Sequence, residues 1–172
     1  RPLLLAAFEE QPPRLSAESV EGCSQEERVQ VLSLFAAWVV VADVTPRAML
    51  IEDIGLQQAE VTELTGTLQT CGAQLDEWDM TRCPASDATV RTLFQTLMSQ
   101  PLRRLSLSYN ALGPSGAAAL VAVAGGWADT LDHLSLEMNG LGDSGCREVA
   151  GALGRGVLHR LRVLELGWNE LS

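Results

Sequence analysis

The feature that most constrains this chain is a spacing of leucines that returns about every 29 residues, the signature of a repeat architecture. It reads Leu102-x-x-Leu105-x-Leu107-x-x-Asn110, then Leu131-x-x-Leu134-x-Leu136-x-x-Asn139, then Leu161-x-x-Leu164-x-Leu166-x-x-Asn169. A further leucine follows each asparagine by two places, at Leu112, Leu141 and Leu171. One repeat earlier the same template is met as Leu75, Trp78, Met80 and Cys83, with cysteine in the asparagine slot. Another repeat back, Met49, Ile51, Ile54 and Leu56 fill a frame that starts at Pro46, and Ile54 replaces the asparagine. A last step of similar length sets Leu15, Val20 and Cys23 in a frame that starts at Leu15, with Glu18 where an apolar residue is expected.

Between these segments the apolar period changes from alternating to helical, as in Val61, Leu64, Leu68 and Cys71, in Val90, Leu93, Phe94 and Leu97, and in Leu120, Val123 and Ala124. Gly113-Pro114-Ser115 and Gly142-Asp143-Ser144 carry helix-start residues, and Ser24-Gln25-Glu26-Glu27 has the form of a capping box. Each repeat is therefore a short strand followed by a helix. One such unit cannot bury its own apolar face, so successive units must stack on a shared core. Helices are about 10 Å wide and strands lie about 4.8 Å apart, so the stack bends with its strands inside. The expected fold is α/β: a right-handed solenoid, a horseshoe with parallel strands on the concave side and helices on the convex side.

The pattern L-x-x-L-x-L-x-x-N/C-x-L at this spacing resembles the ribonuclease-inhibitor type of leucine-rich repeat, clearly over residues 46–172 and weakly over 15–45. Residues 1–45 are expected to form degenerate, mainly helical N-terminal repeats. Leu3 to Glu10 with Pro12-Pro13 reads as the helix and stop of an earlier repeat, and no polar cap is evident at either end, which suggests a portion of a longer protein. The resemblance implies a module that binds another protein within a larger intracellular scaffold or receptor. Ribonuclease inhibitors, the sensing ends of nucleotide-binding innate immune receptors, Ran GTPase-activating proteins and tonsoku-like scaffolds share the subclass. The docking region of a small-GTPase-activating protein is the alternative it permits.

Counted from the first leucine of each frame, offsets +2, +4, +6 and +7 point out of the core onto the concave face or its rim. At +7 stand Asp53, Arg82, Tyr109, Met138 and Trp168, the last three a run of large anchor-like side chains in consecutive repeats. Glu52, Glu77, Asp79, Glu137 and Glu165, with Arg104, His133, Ser106 and Ser135, fill the other outward columns. Packing of Tyr109 and Trp168 over neighbouring backbone, and an acidic surface serving solubility alone, are the competing explanations. Trp38 and Trp78 fall on core positions, whereas Trp127, after Gly125-Gly126, is expected to be partly exposed.

Charge narrows the partner. The formal net charge is -10, every basic residue is arginine, and residues 1–86 carry 14 acidic and 5 Arg against 8 and 7 in residues 87–172. Such a surface suits a protein of basic or mixed charge and disfavours direct contact with nucleic acid. His133 and His159 are the only histidines, and no nucleophile motif, phosphate loop or metal spacing accompanies them, so neither enzyme activity, cofactor nor metal is expected. Cys23, Cys71, Cys83 and Cys146 lack a C-x-x-C pair and read as reduced, buried thiols; with no Asn-x-Ser/Thr site and no signal or membrane-length apolar run, a cytoplasmic or nuclear protein is expected.

Overall fold

The computed structural model describes residues 14–41, 47–72 and 74–172. Six strands, β1 (Arg14–Ser16), β2 (Ala48–Glu52), β3 (Glu77–Thr81), β4 (Arg104–Ser106), β5 (His133–Ser135) and β6 (Val163–Glu165), form one parallel sheet in chain order. Five helices alternate with them: α1 (Gln25–Val41), α2 (Gln58–Thr70), α3 (Asp87–Leu97), α4 (Gly113–Val123) and α5 (Gly142–Gly154). Each strand and the helix after it make one coil, and the register sets Met49, Trp78, Leu105, Leu134 and Leu164 side by side across β2 to β6. The strands that the leucine spacing predicts are thus adjacent and parallel, and the chain is an α/β leucine-rich-repeat solenoid.

One continuous apolar core runs through the stack, from Leu15 and Phe35 through Trp78 and Phe94 to Leu134 and Val149. Its helical walls start where local chemistry predicts. The Glu27 carboxylate accepts from the Ser24 amide at 2.9 Å while Ser24 Oγ accepts from the Glu27 amide at 3.3 Å, a reciprocal cap on α1. Gly113 and Gly142 open α4 and α5 at φ +61° and +57°, a conformation cheap only for glycine.

Three expectations need correction. Leu15 pairs with Ile51, so it fills the third apolar slot of its coil and not the first; the first coil is longer than an even spacing allows. Trp127 is fully buried. A Cβ on Gly126 would overlap the Met98 carbonyl oxygen, so only glycine lets this turn come so close, and the Trp127 indole donates to the Leu97 carbonyl at 2.8 Å. Buried between coils, that N–H finds a partner in the carbonyl at the end of α3, which also accepts from the Gln100 amide at 2.9 Å. Finally, of the cysteines only Cys83 is buried; Cys71 ends α2 exposed, and Cys23 and Cys146 are half-buried. Pro46 and the segment Leu3 to Pro13 lie outside the described residues.

The asparagine slot forms a ladder. Asn169 Oδ1 accepts from the amides of Asn139 (3.0 Å) and Leu141 (3.3 Å), and its amide group donates to Leu136 O at 2.8 Å. Asn139 does the same one coil back, accepting from Asn110 (3.1 Å) and Leu112 (3.4 Å) and donating to Leu107 O (2.8 Å). Asn110 in turn accepts from the Cys83 amide at 2.7 Å. Cys83 takes the slot with sulfur in place of the amide: its thiol reaches Ile51 O at 3.4 Å and Thr81 O at 3.3 Å, and the Ile54 amide of the coil before donates to it. Ile54 has no polar group to continue the series.

Candidate docking face

The side chains at offset +7 share a backbone conformation as well as a place in the repeat. Asp53, Arg82, Tyr109, Met138 and Trp168 have φ of 59°, 54°, 64°, 52° and 57°, the left-handed region, although none is glycine. For an L-residue this costs about 1–2 kcal/mol. A second row of hydrogen bonds holds it: the amides of Asp53, Arg82, Tyr109 and Met138 donate to the +6 carbonyls of the next coil, at Thr81, Ser108, Glu137 and Gly167, over 2.9–3.2 Å. The left-handed residue turns the chain so that the next side chain, the ladder asparagine, points inward. Its own side chain is left on the rim of the sheet.

Tyr109, Met138 and Trp168 project there with exposures of 47%, 41% and 80%. Tyr109 and Met138 each have a coil on both sides, so their exposure is a property of the face and not of its edge. Tyr109 therefore keeps about half of its surface open.

The charged candidates resolve into pairs and singles. Arg82 meets Asp53 with two hydrogen bonds (2.5 and 3.0 Å), which hold the Asp53 carboxyl below its ordinary pKa and raise that of the guanidinium. Glu52 takes Arg14 at 3.0 Å, and His133 Nε2 lies 3.3 Å from Glu165. Glu77 and Arg104 are register neighbours on β3 and β4, yet no ion pair joins them among the described residues. Asp79 accepts from the Thr81 hydroxyl at 2.7 Å. The Glu137 carboxylate lies over Gly167, where a Cβ would come within 2.7 Å of Oε1.

Ser135, placed among the outward polar residues by the strand period, is buried, and its hydroxyl lies 2.9 Å from that of Ser108, also buried. The pair is a sealed bridge between coils and not a contact point. Burial pushes the Cys83 thiol up to about 11, which suits a structural donor and not a nucleophile. No group of three or more His, Cys, Asp or Glu residues is arranged to hold a metal ion among the described residues.

Sequence reasoning missed a buried ion pair on the helical side. Glu60, on the inner face of α2, accepts from Arg28 Nε at 2.6 Å and from the Gln57 amide at 2.8 Å, while Arg28 Nη2 reaches Gly55 O at 2.8 Å. The signal was present: Gln57-x-x-Glu60 has capping-box spacing before an apolar helical run.

A family model described as "Leucine Rich repeat" matches residues 99–121 and 130–150, within the part of the chain where the asparagine ladder is complete. No curated protein matches the chain. The chain therefore carries leucine-rich repeats, which commonly mediate contacts between proteins and are generally not enzymes. No helix among the described residues is long and apolar enough to cross a membrane.

Proposed function

We propose that this chain is a protein-interaction module of the ribonuclease-inhibitor-like repeat subclass, part of a larger intracellular scaffold or receptor, that grips a protein partner with its concave face. The observation that carries the reading is the run of Tyr109, Met138 and Trp168. Three consecutive coils spend backbone strain on a left-handed position and fill it with large, exposed side chains, where glycine would be cheapest. Aromatic residues and methionine are enriched at the cores of protein interfaces, and exposed apolar runs of this kind are uncommon on surfaces that bind nothing.

The rest of the face supports a partner of basic or mixed charge. Glu52, Asp53, Glu77, Asp79, Glu137 and Glu165 stand against Arg14, Arg82 and Arg104, six carboxylates to three guanidiniums. Its acidity suits no nucleic acid phosphate. The test is a pull-down from the parent protein with Tyr109, Met138 and Trp168 all replaced by alanine. Specific partners recovered by the parent should be lost from the triple variant, and Trp168→Ala alone should weaken a purified partner by about 2 kcal/mol if it is a central anchor. Equal recovery by parent and triple variant would reject the face.

A further inference from the structure

The residue after the ladder asparagine is left-handed in each of the last three coils: Ala111, Gly140 and Glu170 have φ of 52°, 61° and 57°. Glycine adopts that conformation at the least cost, and only the fifth coil places it there. The same choice creates the single Asn-Gly pair of the chain, Asn139-Gly140. Such a pair is chemically labile, because with no Cβ on the second residue its backbone nitrogen can approach the asparagine Cγ unhindered.

The two reacting groups stand differently in the fold. Gly140 is exposed, its N–H carries no hydrogen bond among the described residues, and a Cβ there would meet nothing within 4 Å. The nucleophile is therefore at hand, and so is solvent. The electrophile is held. Asn139 is fully buried, and its carboxamide accepts from the Asn110 and Leu112 amides at 3.1 and 3.4 Å and donates to Leu107 O and Glu137 O at 2.8 and 3.1 Å. These four bonds fix Cγ in the ladder and keep it from turning onto the Gly140 nitrogen. Local opening of the turn between the fourth and fifth coils would release it.

We propose that Asn139-Gly140 is a modification site, where spontaneous deamidation, held back by the folded ladder, turns a transient opening of this turn into a permanent one. The Gly140 nitrogen bonds to Asn139 Cγ, the Cγ–Nδ2 bond breaks, and Nδ2 leaves as ammonia with the proton of the Gly140 N–H. Water then opens the resulting succinimide to aspartate or isoaspartate. Neither product rebuilds the ladder. An ionised aspartate sets an oxygen where Nδ2 donated, so that acceptor faces acceptor at the Leu107 and Glu137 carbonyls. An isoaspartate also lengthens the main chain by one methylene, between two residues held left-handed, Met138 and Gly140.

The experiment incubates the full chain in mildly alkaline buffer, folded and in urea, and follows conversion at each asparagine by peptide mass spectrometry. In urea Asn139 should convert at least about tenfold faster than Asn110 or Asn169, whose following residues carry a Cβ. In the folded chain it should convert at least about tenfold more slowly than in urea. Asn169→Ala removes the acceptor of the Asn139 and Leu141 amides and should speed conversion of Asn139 in native buffer, with circular dichroism confirming the fold. If that variant does not fold, the conversion rate of the parent across a urea series should rise with the fraction unfolded. Gly140→Ala should abolish conversion, and Ala111 shows that such a turn accepts alanine. Converted parent should unfold at lower urea than unconverted parent, while Gly140→Ala incubated alongside should not change. Equal rates in folded and unfolded chain, Asn139 no faster than the other two asparagines in urea, or a converted chain as stable as the parent would each overturn the proposal.

Discussion

Between the fourth, fifth and sixth coils the ties run through the turns that follow the strands, where Asn139 and Asn169 each bond the backbone of the coil before. The first three coils, besides the Arg14–Glu52 and Arg82–Asp53 pairs on the strand face, are tied by polar side chains on the helix side that the later coils lack: Arg28 to Glu60 and Gln25 to Gln57 join α1 to α2, and Gln58 to Thr92 joins α2 to α3. The helices of the later coils meet differently. There Gly145 brings α5 so close to α4 that a Cβ would lie 3.3 Å from the Ala117 Cβ, and the contact is made of small apolar groups. β2 and β3 have five residues each, whereas β1 and β4 to β6 have three. Stacking needs each coil fastened to the next, and polar ties between the helices give way to the asparagine ladder in the turns once asparagine is available.

Substitutions should separate the two devices. Asn139→Leu removes four side-chain hydrogen bonds, to Asn110, Leu112, Leu107 and Glu137, in a buried turn. At about 1 kcal/mol each, more where backbone is left unpaired, a loss of roughly 4 kcal/mol is expected in urea unfolding. Arg28→Met leaves the buried Glu60 carboxylate without its cation and should cost about 3 kcal/mol, while Arg28→Met with Glu60→Met should recover most of that loss. A double variant as unstable as the single one would show that the pair does more than neutralise itself.

Smaller effects sharpen the contrast at the +7 column. Met138→Gly should be more stable than Met138→Ala by about 1 kcal/mol, because only glycine adopts φ +52° without strain. Equal stabilities would mean that the left-handed turn is not strained. Alkylation at neutral pH should label Cys71 readily and leave Cys83 untouched in the folded chain, since the second thiol is buried and weakly acidic.

The least effect is expected from the exposed Asp53 and Arg82 pair. The Asp53 pKa is lowered by folding, so its contribution is present above the unfolded carboxyl value near 3.9 and fades as pH falls through the lower folded one. Solvent screening makes it small, and Asp53→Asn should leave thermal unfolding at pH 7 within error of the parent.

The sequence carried the strands and helices because their periods, 2 and about 3.6, leave different marks on apolar spacing, and Leu105, Leu134 and Leu164 bear them clearly. It carried the outward columns too, since alternation along a strand is geometric. It failed where a neighbour decides. Ser135 has the outward parity of a surface residue but is sealed beside Ser108, and parity says nothing about cover. Trp127 depends on how near Gly126 lets two coils approach, which no single-strand pattern records. The first coil slipped because its one strand leucine, Leu15, could occupy any of three apolar slots until the register with Ile51 was known.

Coils coupled in series, each by its own device, make a prediction that a single cooperative core does not. Native-state hydrogen exchange on Asn139→Leu tests it most directly. The amides of Asn110 and Leu112 should lose protection, whereas those of Val61 and Leu64 in α2, two coils away, should exchange as in the parent. Equal loss of protection in both places, or none in either, would contradict the account.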